Sequence, residues 1–255
     1  MNIPVIDIHQ HLNFINSTHD DLVKHQKEFG VVKTILLPSA GIKSKDKGLL
    51  AEVPGTQDAY NFCQSNKDFL FAVNEPIEER EKIEDYIAKG AKLIGEIKYQ
   101  MGGDDEELYG YAEIARQHNV PILIHFEKEL GVELKGFHKV LKKFPDVNFI
   151  GHAVLWWDKM ASSTNFLMNN HNNLYGDISA NSGLRAMKSK YAAGFIEKFQ
   201  DRILFGSDCP PNHPYENAPH CIGKELKTVL EDKLDHTVLE KIYYKNACKL
   251  LGIKI

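Results

Sequence analysis

Close to its start the sequence reads Val5-Ile6-Asp7-Ile8-His9-Gln10-His11, an apolar run that becomes ionisable as it ends. This run predicts a β-strand. Side chains alternate between the two faces of a strand, so Asp7, His9 and His11 are expected on one face. Two imidazoles at this spacing can reach the same metal ion. A His-x-His pair is a weak motif by itself, and its meaning depends on what the other strands carry.

Short apolar runs alternate along the whole chain with segments of helical period. Eight strands are predicted, at residues 4–9, 32–38, 70–74, 92–98, 121–125, 147–152, 174–178 and 202–208. Helices with start and stop signals are predicted at residues 20–29, 78–89, 105–118, 134–144 and 237–251. Such alternation predicts βα units and a parallel sheet. Eight strands in 255 residues fit an α/β fold of the (β/α)8 TIM-barrel type.

The main alternative to a barrel is a doubly wound open sheet. No GxGxxG or GxxxxGK(S/T) phosphate loop follows any predicted strand, which argues against it. No sequence repeat or low-complexity linker divides the chain, so we expect one domain over residues 1–255. Residues 41–55 are the least regular stretch and are predicted to form a solvated loop, or alternatively a lid over the site.

Composition and charge exclude several classes of partner. The net charge of −4 is slight for this length, which argues against nucleic-acid binding. No apolar segment approaches the roughly 18 to 20 residues that span a bilayer, so no membrane contact is expected. The first residues lack the pattern of a signal peptide. Cys63, Cys209, Cys221 and Cys248 form no CxxC pair, and we expect reduced thiols in a cytoplasmic protein.

Ionisable residues recur where the predicted strands end. Strand 4 carries Glu96 and Lys98, strand 5 ends at His125, strand 6 at His152 and strand 8 at Asp208. Each follows an apolar run that should be buried, where such groups are costly unless they are paired or coordinated. A barrel supports catalysis at these carboxyl ends. Imidazole and carboxylate ligands suit zinc, manganese or iron, so the sequence predicts a metal site there.

These motifs, taken in order, resemble the amidohydrolase superfamily, and especially its amidohydrolase-related branch. The matching elements span almost the whole chain. They are Asp7-Ile8-His9-Gln10-His11, Gly95-Glu96-Ile97-Lys98, Pro121-Ile122-Leu123-Ile124-His125, Gly151-His152, Phe205-Gly206-Ser207-Asp208 and Asn246-Ala247. Each motif is short, but the ordered set is specific. The branch contains hydrolases of lactones, esters and amides, together with non-oxidative decarboxylases and hydratases.

The resemblance implies a role for each residue that matches. His9 and His11 would bind the buried metal ion, and Asp208 would bind it too or take a proton from its water. His125 would be a further ligand. His152 would either bind a second ion or act as an acid/base group over the substrate. Asp208 and His152 are therefore the predicted catalytic residues.

Strand 4 leaves two interpretations open. Family members with two metal ions bridge them with a strand-4 carboxylate or carboxylated lysine, which favours Glu96 as the bridge, as in the TatD-like nucleases. Alternatively, Glu96 and Lys98 only balance charge near the site. Asp7 is expected to orient a histidine through a hydrogen bond, or else to make a simple polar contact. Lys98, Tyr99 and Trp156 are predicted to contact the substrate.

The favoured function is a metal-dependent hydrolase of a small lactone, ester or amide, acting through a metal-activated water. A decarboxylase using the same site is the first alternative, and a TatD-like phosphodiesterase the second. A non-catalytic binding barrel would lack one of the expected ligands, yet every expected position is filled. Zinc is the favoured ion, as one or two per chain, with manganese or iron as alternatives. We expect a small-molecule substrate, no nucleic-acid or membrane partner, and allow for a homo-oligomer.

Overall fold

All eight predicted strands are present in the computed structural model, which describes residues 3–39, 53–98, 103–126, 130–211 and 221–255. Most of the 41–55 stretch lies outside these ranges. The strands are β1 Val5–Gln10, β2 Val31–Leu36, β3 Phe69–Phe71, β4 Ile94–Ile97, β5 Ile122–Ile124, β6 Phe149–Gly151, β7 Leu174–Ile178 and β8 Ile203–Phe205. Most are almost completely buried, as expected for parallel strands that are covered on both faces, whereas the first half of β2 is more open.

Helices follow the strands in the order that a βα barrel requires. They are α1 His19–Glu28, α2 Thr56–Ser65, α3 Arg80–Ala88, α4 Glu106–His118, α5 Leu130–Lys143, α6 Ala153–Asn170, α7 Ala180–Met187, α8 Ala192–Phe199, α9 Ile222–Lys233, α10 His236–Glu240 and α11 Asn246–Leu251. The single helix predicted at 237–251 is in fact interrupted by a π-helical turn, Lys241–Lys245. Five helices, α2 and α6 to α9, were not predicted from the sequence. None of the described helices is long and apolar enough to cross a membrane.

The strands pair in parallel and in sequence order, as β1-β2-β3 and as β4-β5-β6-β7-β8. Backbone hydrogen bonds join the two groups at both ends. Between β3 and β4, the Gly95 amide donates to the Val73 carbonyl at 2.8 Å; beyond β8, the Asp208 amide donates to the His9 carbonyl, also at 2.8 Å. The eight strands therefore form the ring of a (β/α)8 barrel, as predicted, and their carboxyl ends converge at one end of it.

The carboxyl-terminal helices fix the other end of the ring. Ala247 and Leu251 of α11 belong to a buried cluster with the strand residues Ile6, Leu93 and Leu204. The Asn246 side chain donates to the Ile203 carbonyl at 2.7 Å. This contact holds the start of the strand that leads to Asp208, which gives the Asn246-Ala247 motif a structural role.

Candidate metal centre

Both histidines of the first motif present the same ring nitrogen to the interior of the site. The His11 Nδ1 donates to the Leu37 carbonyl at 2.8 Å, which leaves its Nε2 as the lone-pair nitrogen. The His9 Nδ1 lies 2.8 Å from the Asp177 carboxylate, which accepts its proton in the same way. The His9 Nε2 is fully buried and makes no hydrogen bond to any residue in the described ranges. When each ring is neutral, these hydrogen bonds hold it in the tautomer that a metal ligand needs.

Glu96 lies between two pairs of imidazoles. Its Oε2 is 3.4 Å from the His9 Nε2 and 3.7 Å from the His11 Nε2. Its Oε1 is 2.5 Å from the His125 Nδ1 and 3.9 Å from the His152 Nδ1. The two oxygens of one carboxylate therefore face different pairs of nitrogen ligands.

Gly95 allows this strand to approach its neighbour closely. It has φ +134°, and a Cβ at this position would lie 2.4 Å from the Leu123 carbonyl oxygen. A larger residue would therefore push β4 away from β5. Because Glu96 follows directly and His125 follows β5, the glycine keeps the carboxylate within reach of that imidazole.

His125 and His152 form a parallel stack over the carboxylate. Their ring centroids are 4.3 Å apart and their planes differ by 12°. The His152 Nε2 is 3.7 Å from the Asp208 Oδ2, and its Nδ1 is 3.3 Å from the Ser179 hydroxyl. His152 therefore connects the Glu96 side of the site with the Asp208 side.

Asp208 is the most open of the ionisable groups in the cluster. Its side chain is 16% exposed, whereas those of His9 and Glu96 are 0% and 5% exposed. Its backbone takes φ +42°, a strained conformation for a residue with a side chain, which the hydrogen bond from its amide to the His9 carbonyl helps to hold. The Oδ1 then lies 3.6 Å from the His9 Nε2 and 3.5 Å from the His11 Nε2.

The cluster attracts positive charge. Burial lowers the pKa of His9, but Asp208, Glu96 and Asp177 together raise it well above its ordinary value. Burial likewise raises the pKa of Glu96, but His9 and His125 bring it well below its ordinary value. The carboxylates are thus ionised, and in the absence of a metal ion the protonated His9 imidazole balances part of their charge. A cation at the centre would neutralise them instead.

The spacing of these groups fits a metal ion. Two ligands held about 2.1 Å from a tetrahedral ion lie about 3.4 Å apart, close to the 3.4–3.7 Å between the His9 and His11 Nε2 atoms and the carboxylates. Three overlapping triads have all their ligand atoms within 4.8 Å of one another. They are His9/His11/Glu96, His9/His152/Asp208 and Glu96/His125/His152. The six predicted ligands are therefore brought together.

Comparison with known families agrees with this geometry. A family model described as amidohydrolase matches residues 61–253. The chain belongs to the amidohydrolase family. This family is metal-dependent, which accords with the cluster of buried ligands. A search of curated protein sequences found no match.

Solved structures similar to this amidohydrolase support the fold. A TIM-barrel protein of uncharacterised function from Bordetella bronchiseptica has a TM-score of 0.73 at 17% identity, over 98% of each chain. The 2,6-dihydroxybenzoate decarboxylase from Rhizobium has a TM-score of 0.66 at 12% identity, again over 98% of each chain. A 5-carboxyvanillate decarboxylase from Novosphingobium aromaticivorans, solved with manganese and a nitrobenzoic acid, has a TM-score of 0.63 at 12% identity, over 91% of this chain and 79% of that one. At these identities the likeness shows the fold alone.

The carboxylate that orients His9 is Asp177 of β7, which the sequence analysis did not single out. Its Oδ2 accepts from the His9 Nδ1, and its Oδ1 accepts from the Ala153 amide and the Ser179 hydroxyl, both at 2.6 Å. An acid just before the end of a buried strand is the same signal that identified the other site residues. Applied to Gly176-Asp177-Ile178, it would have found this one.

Asp7 does not orient a histidine ring, contrary to the favoured prediction. Its carboxylate accepts from the backbone amides of His9 and Ser207, and from the Gln26 side chain of α1 at 2.8 Å. The pairing of β1 with β2 is irregular between Asp7 and Gln10, so the simple alternation of faces does not continue through this stretch. Asp7 instead ties β1, β8 and α1 together beneath the site.

Two of the three predicted substrate contacts, Lys98 and Trp156, lie within the described ranges. Lys98 is half-buried just after β4. Tyr99 lies outside the described residues. Trp156 lies in α6, where only its backbone is described. Its neighbour Trp157 is fully buried against Phe195, with ring centroids 4.8 Å apart, and is a packing residue.

The expectation that all four cysteines are reduced thiols is wrong for two of them. Cys209 and Cys221 form a disulfide, with Cα atoms 5.8 Å apart and a sequence separation of 12. Cys209 follows Asp208, and Cys221 precedes α9, so the fold returns the chain to nearly the same point. Spacing along the sequence could not reveal this proximity. Cys63 and Cys248 remain free.

Proposed function

We propose that this amidohydrolase is a metal-dependent hydrolase that uses an activated water to cleave a small lactone, ester or amide. The observation that carries the proposal is the position of Glu96. Its two oxygens face the His9/His11 pair and the His125/His152 pair. A carboxylate in this position can bridge two metal ions, and a paired-ion site suits the activation of water for hydrolysis.

The chain's own residues divide into two ligand sets under this proposal. His9, His11 and Asp208 would hold one ion, with one oxygen of Glu96. His125 and His152 would hold the other, with the second oxygen. Nitrogen and oxygen donors in compact groups favour zinc, and manganese or iron would also be accepted. Bound divalent ions would polarise the substrate carbonyl and lower the pKa of a coordinated water from about 15.7 to near 7.

Asp208 would accept and later donate the proton of that water. It is the most solvent-accessible acid of the site, and its pKa is held below its ordinary value, because His9 and His11 outweigh the effect of burial. An ionised carboxylate beside the water would accept its proton and return it to the leaving group. The strained backbone at Asp208 fixes the side chain in that position.

His152 would polarise the substrate carbonyl or serve as the second acid/base group. Burial, followed by the charge of His125, lowers its pKa, which keeps the ring neutral. The Ser179 hydroxyl lies 3.3 Å from the His152 Nδ1, and the Asp177 Oδ1 lies 3.7 Å from the same nitrogen. Its Nε2 side faces Asp208. A neutral imidazole fixed on one side can donate or accept a proton on the other.

The substrate would be small and neutral or anionic. We retain Lys98, Tyr99 and Trp156 as its proposed contacts, because they follow β4 and β6 at the end of the barrel where the ligands converge. Lys98 would attract a negative group. The net charge of −4 gives no support to a nucleic-acid substrate.

A decarboxylase is the second candidate, because several of the similar structures, both of those described above among them, carry that activity in their names. The same ligand set would then bind the substrate, and Asp208 or His152 would deliver a proton to the carbon that loses carbon dioxide. A TatD-like phosphodiesterase would use the same groups again. The decarboxylase does not require a carboxylate between two imidazole pairs as directly as hydrolysis by a paired-ion site does. The phosphodiesterase would use the same bridging carboxylate, and the net charge of −4 is what makes it the weaker candidate.

Counting metal ions per chain tests the proposal directly. The protein is purified without chelators or reductants, so that the Cys209–Cys221 disulfide stays oxidised, then loaded with zinc and analysed by elemental mass spectrometry beside Glu96→Gln and the surface control Glu113→Gln. We expect two ions in the parent and the control, and one in Glu96→Gln. One ion in the parent would contradict the paired-ion site.

The three candidate reactions are then separated with one enzyme preparation. It is assayed on chromogenic esters, lactones and anilides, on hydroxylated benzoic acids with detection of carbon dioxide, and on bis(p-nitrophenyl) phosphate. Hydrolysis of a carbonyl substrate that is lost in Glu96→Gln and retained in Glu113→Gln would support the proposal. Release of carbon dioxide without carbonyl hydrolysis would replace it with the decarboxylase, and phosphate ester cleavage alone with the phosphodiesterase.

A further inference from the structure

A second cluster of metal-ligand side chains lies outside the proposed centre. It consists of His25 in α1, Cys209 after β8 and Cys221 before α9, and their ligand atoms all lie within 4.8 Å of one another. All three residues are buried, at 4%, 2% and 4% exposure. Two sulfurs and one imidazole nitrogen form a softer donor set than the imidazoles and carboxylates of the first centre.

The His25 ring packs against Phe29, with centroids 5.6 Å apart, but this contact does not use its nitrogens. Among the described residues, neither of its ring nitrogens has a hydrogen-bond partner. A buried polar group without a partner costs about 1–3 kcal/mol, so its retention there calls for an explanation. Burial, and then the charge of Lys224, lowers the pKa of His25 to about 4. The ring is therefore neutral at neutral pH, which is the form that binds a metal ion.

The cysteines supply a matching pair of sulfurs. Cys221 occupies the N-cap position of α9, where the helix dipole favours a thiolate. Lys224 in the first turn of the same helix adds a positive charge close to His25, partly offset by its ion pair with Glu28 at 3.8 Å. Both features would stabilise sulfur in its anionic form after reduction.

We propose that His25, Cys209 and Cys221 form a second, sulfur-containing metal site that binds a thiophilic divalent ion such as zinc once the Cys209–Cys221 disulfide has been reduced. A dithiol reductant supplies two electrons and two protons, which convert the disulfide into two thiols while the dithiol is oxidised to its own disulfide. Binding of the ion by the two sulfurs then releases the two thiol protons to solvent.

The backbone needs little movement to change between these states. Two thiolates about 2.3 Å from a tetrahedral ion lie about 3.8 Å apart, so each sulfur would move by a rotation about its own Cα–Cβ bond. The Cα separation of 5.8 Å suits both arrangements. Because Cys209 follows Asp208 directly, the second site would hold the segment that carries the most open acid of the first centre.

Cobalt is the appropriate probe because it reports sulfur ligation by itself. Thiolate-to-cobalt charge transfer absorbs in the near ultraviolet, and the first centre contains no sulfur. The full-length protein is treated with tris(2-carboxyethyl)phosphine, freed of metal and titrated with Co²⁺. We expect the charge-transfer band in the reduced protein and none in the oxidised protein.

Variants assign the band to the cluster. Cys209→Ser and Cys221→Ser should lose it, whereas the control Cys63→Ser/Cys248→Ser should keep it. His25→Leu retains both thiols but loses a proposed ligand. Removing a residue that only hydrogen-bonds to a ligand already lowers metal affinity by about 10-fold or more, so His25→Leu should bind the sulfur-coordinated Co²⁺ at least about tenfold more weakly. Unchanged far-ultraviolet circular dichroism confirms that each variant is folded.

Three results would overturn the proposal. They are absence of the band in the reduced protein, its persistence in Cys221→Ser, and its loss in the Cys63/Cys248 control. A His25→Leu protein with the affinity of the parent would remove His25 from the site. None of these outcomes bears on the count of ions at the Glu96 centre, which is measured on the oxidised protein.

Discussion

Replacing Asp177 by asparagine should weaken metal binding although Asp177 touches no proposed ion. In the parent, one carboxylate oxygen accepts from the Ala153 amide and the Ser179 hydroxyl, and the other accepts from the His9 Nδ1. Asparagine has only one accepting oxygen, and two donors already require it. Its amide group would therefore face the His9 Nδ1 as a donor.

This reversal changes the tautomer of His9. With a donor opposite, the His9 Nδ1 must accept, so the ring proton moves to Nε2, the nitrogen that would bind the ion. Loss of an outer partner of a metal-bound histidine typically lowers affinity by about 10- to 100-fold, which corresponds to about 1.4–2.7 kcal/mol. Asp177→Asn should lie toward the upper end of this range, because it opposes the required tautomer as well as removing its support.

Competition against a chromophoric chelator measures the effect. Zinc affinity is compared among the parent, Asp177→Asn and the control Asp201→Asn, whose parent side chain is 75% exposed and pairs with Lys241 at 2.8 Å. The control should match the parent, since exposed ion pairs contribute little. A folded Asp177→Asn protein with parental zinc affinity would refute the assignment of Asp177 as the residue that orients His9.

Three further predictions concern stability, measured by urea unfolding. Gly206→Ala should destabilise by about 1–3 kcal/mol, because its Cβ would lie 2.7 Å from the His9 Cβ, whereas Gly194→Ala in α8, with open space around it, should stabilise by about 0.5–1 kcal/mol. As pH falls from 6.5 to 4, His25 takes up a proton in the unfolded chain but stays largely neutral in the folded protein, because burial lowers its pKa to about 4. The free energy of unfolding of the parent should therefore fall by about 3 kcal/mol more than that of His25→Leu. Reduction of the Cys209–Cys221 disulfide in metal-free buffer should lower the free energy of unfolding by about 3 kcal/mol.

Each of these predictions has a clear contrary result. Equal stability of Gly206→Ala and the parent would mean that β8 does not need its close approach to His9. Parallel pH profiles for the parent and His25→Leu would mean that this imidazole is not held neutral. No change on reduction, with free thiols confirmed by titration, would mean that the disulfide adds nothing to the folded state.

The fold could be predicted because the signal for it is repeated eight times. Most strands contain a short apolar run, and every one was located to within a few residues. Helices with a clear stop signal were also found: α4, for example, ends at Asn119, which takes a left-handed conformation with φ +52°. Helix α6 was missed because its apolar residues follow no clear helical period, so the sequence does not distinguish it from a continuation of β6.

The candidate site could be predicted as a set of clustered ionisable side chains but not as a set of hydrogen bonds. An ionisable residue that follows an apolar run can be recognised from the sequence alone, and this signal identified His125, His152 and Asp208. The partner of a ligand is visible only after folding, since Asp177 meets His9 across 168 positions of sequence. Asp7 and Asp177 look alike in the sequence, yet one accepts from backbone amides and the other from an imidazole.

The same distinction explains why the reaction is harder to infer than the metal centre. Ligands must come from strand ends, because a barrel holds several groups near one ion only where its strands converge. Selection among ester, acid and phosphate depends instead on residues after the strands, such as Tyr99, whose positions follow no periodic rule. Glu96 is informative because it bears both on the metal centre and on the choice of reaction. As a strand residue it could be located from the sequence, and its place between two imidazole pairs supports the proposed paired-ion hydrolysis over decarboxylation.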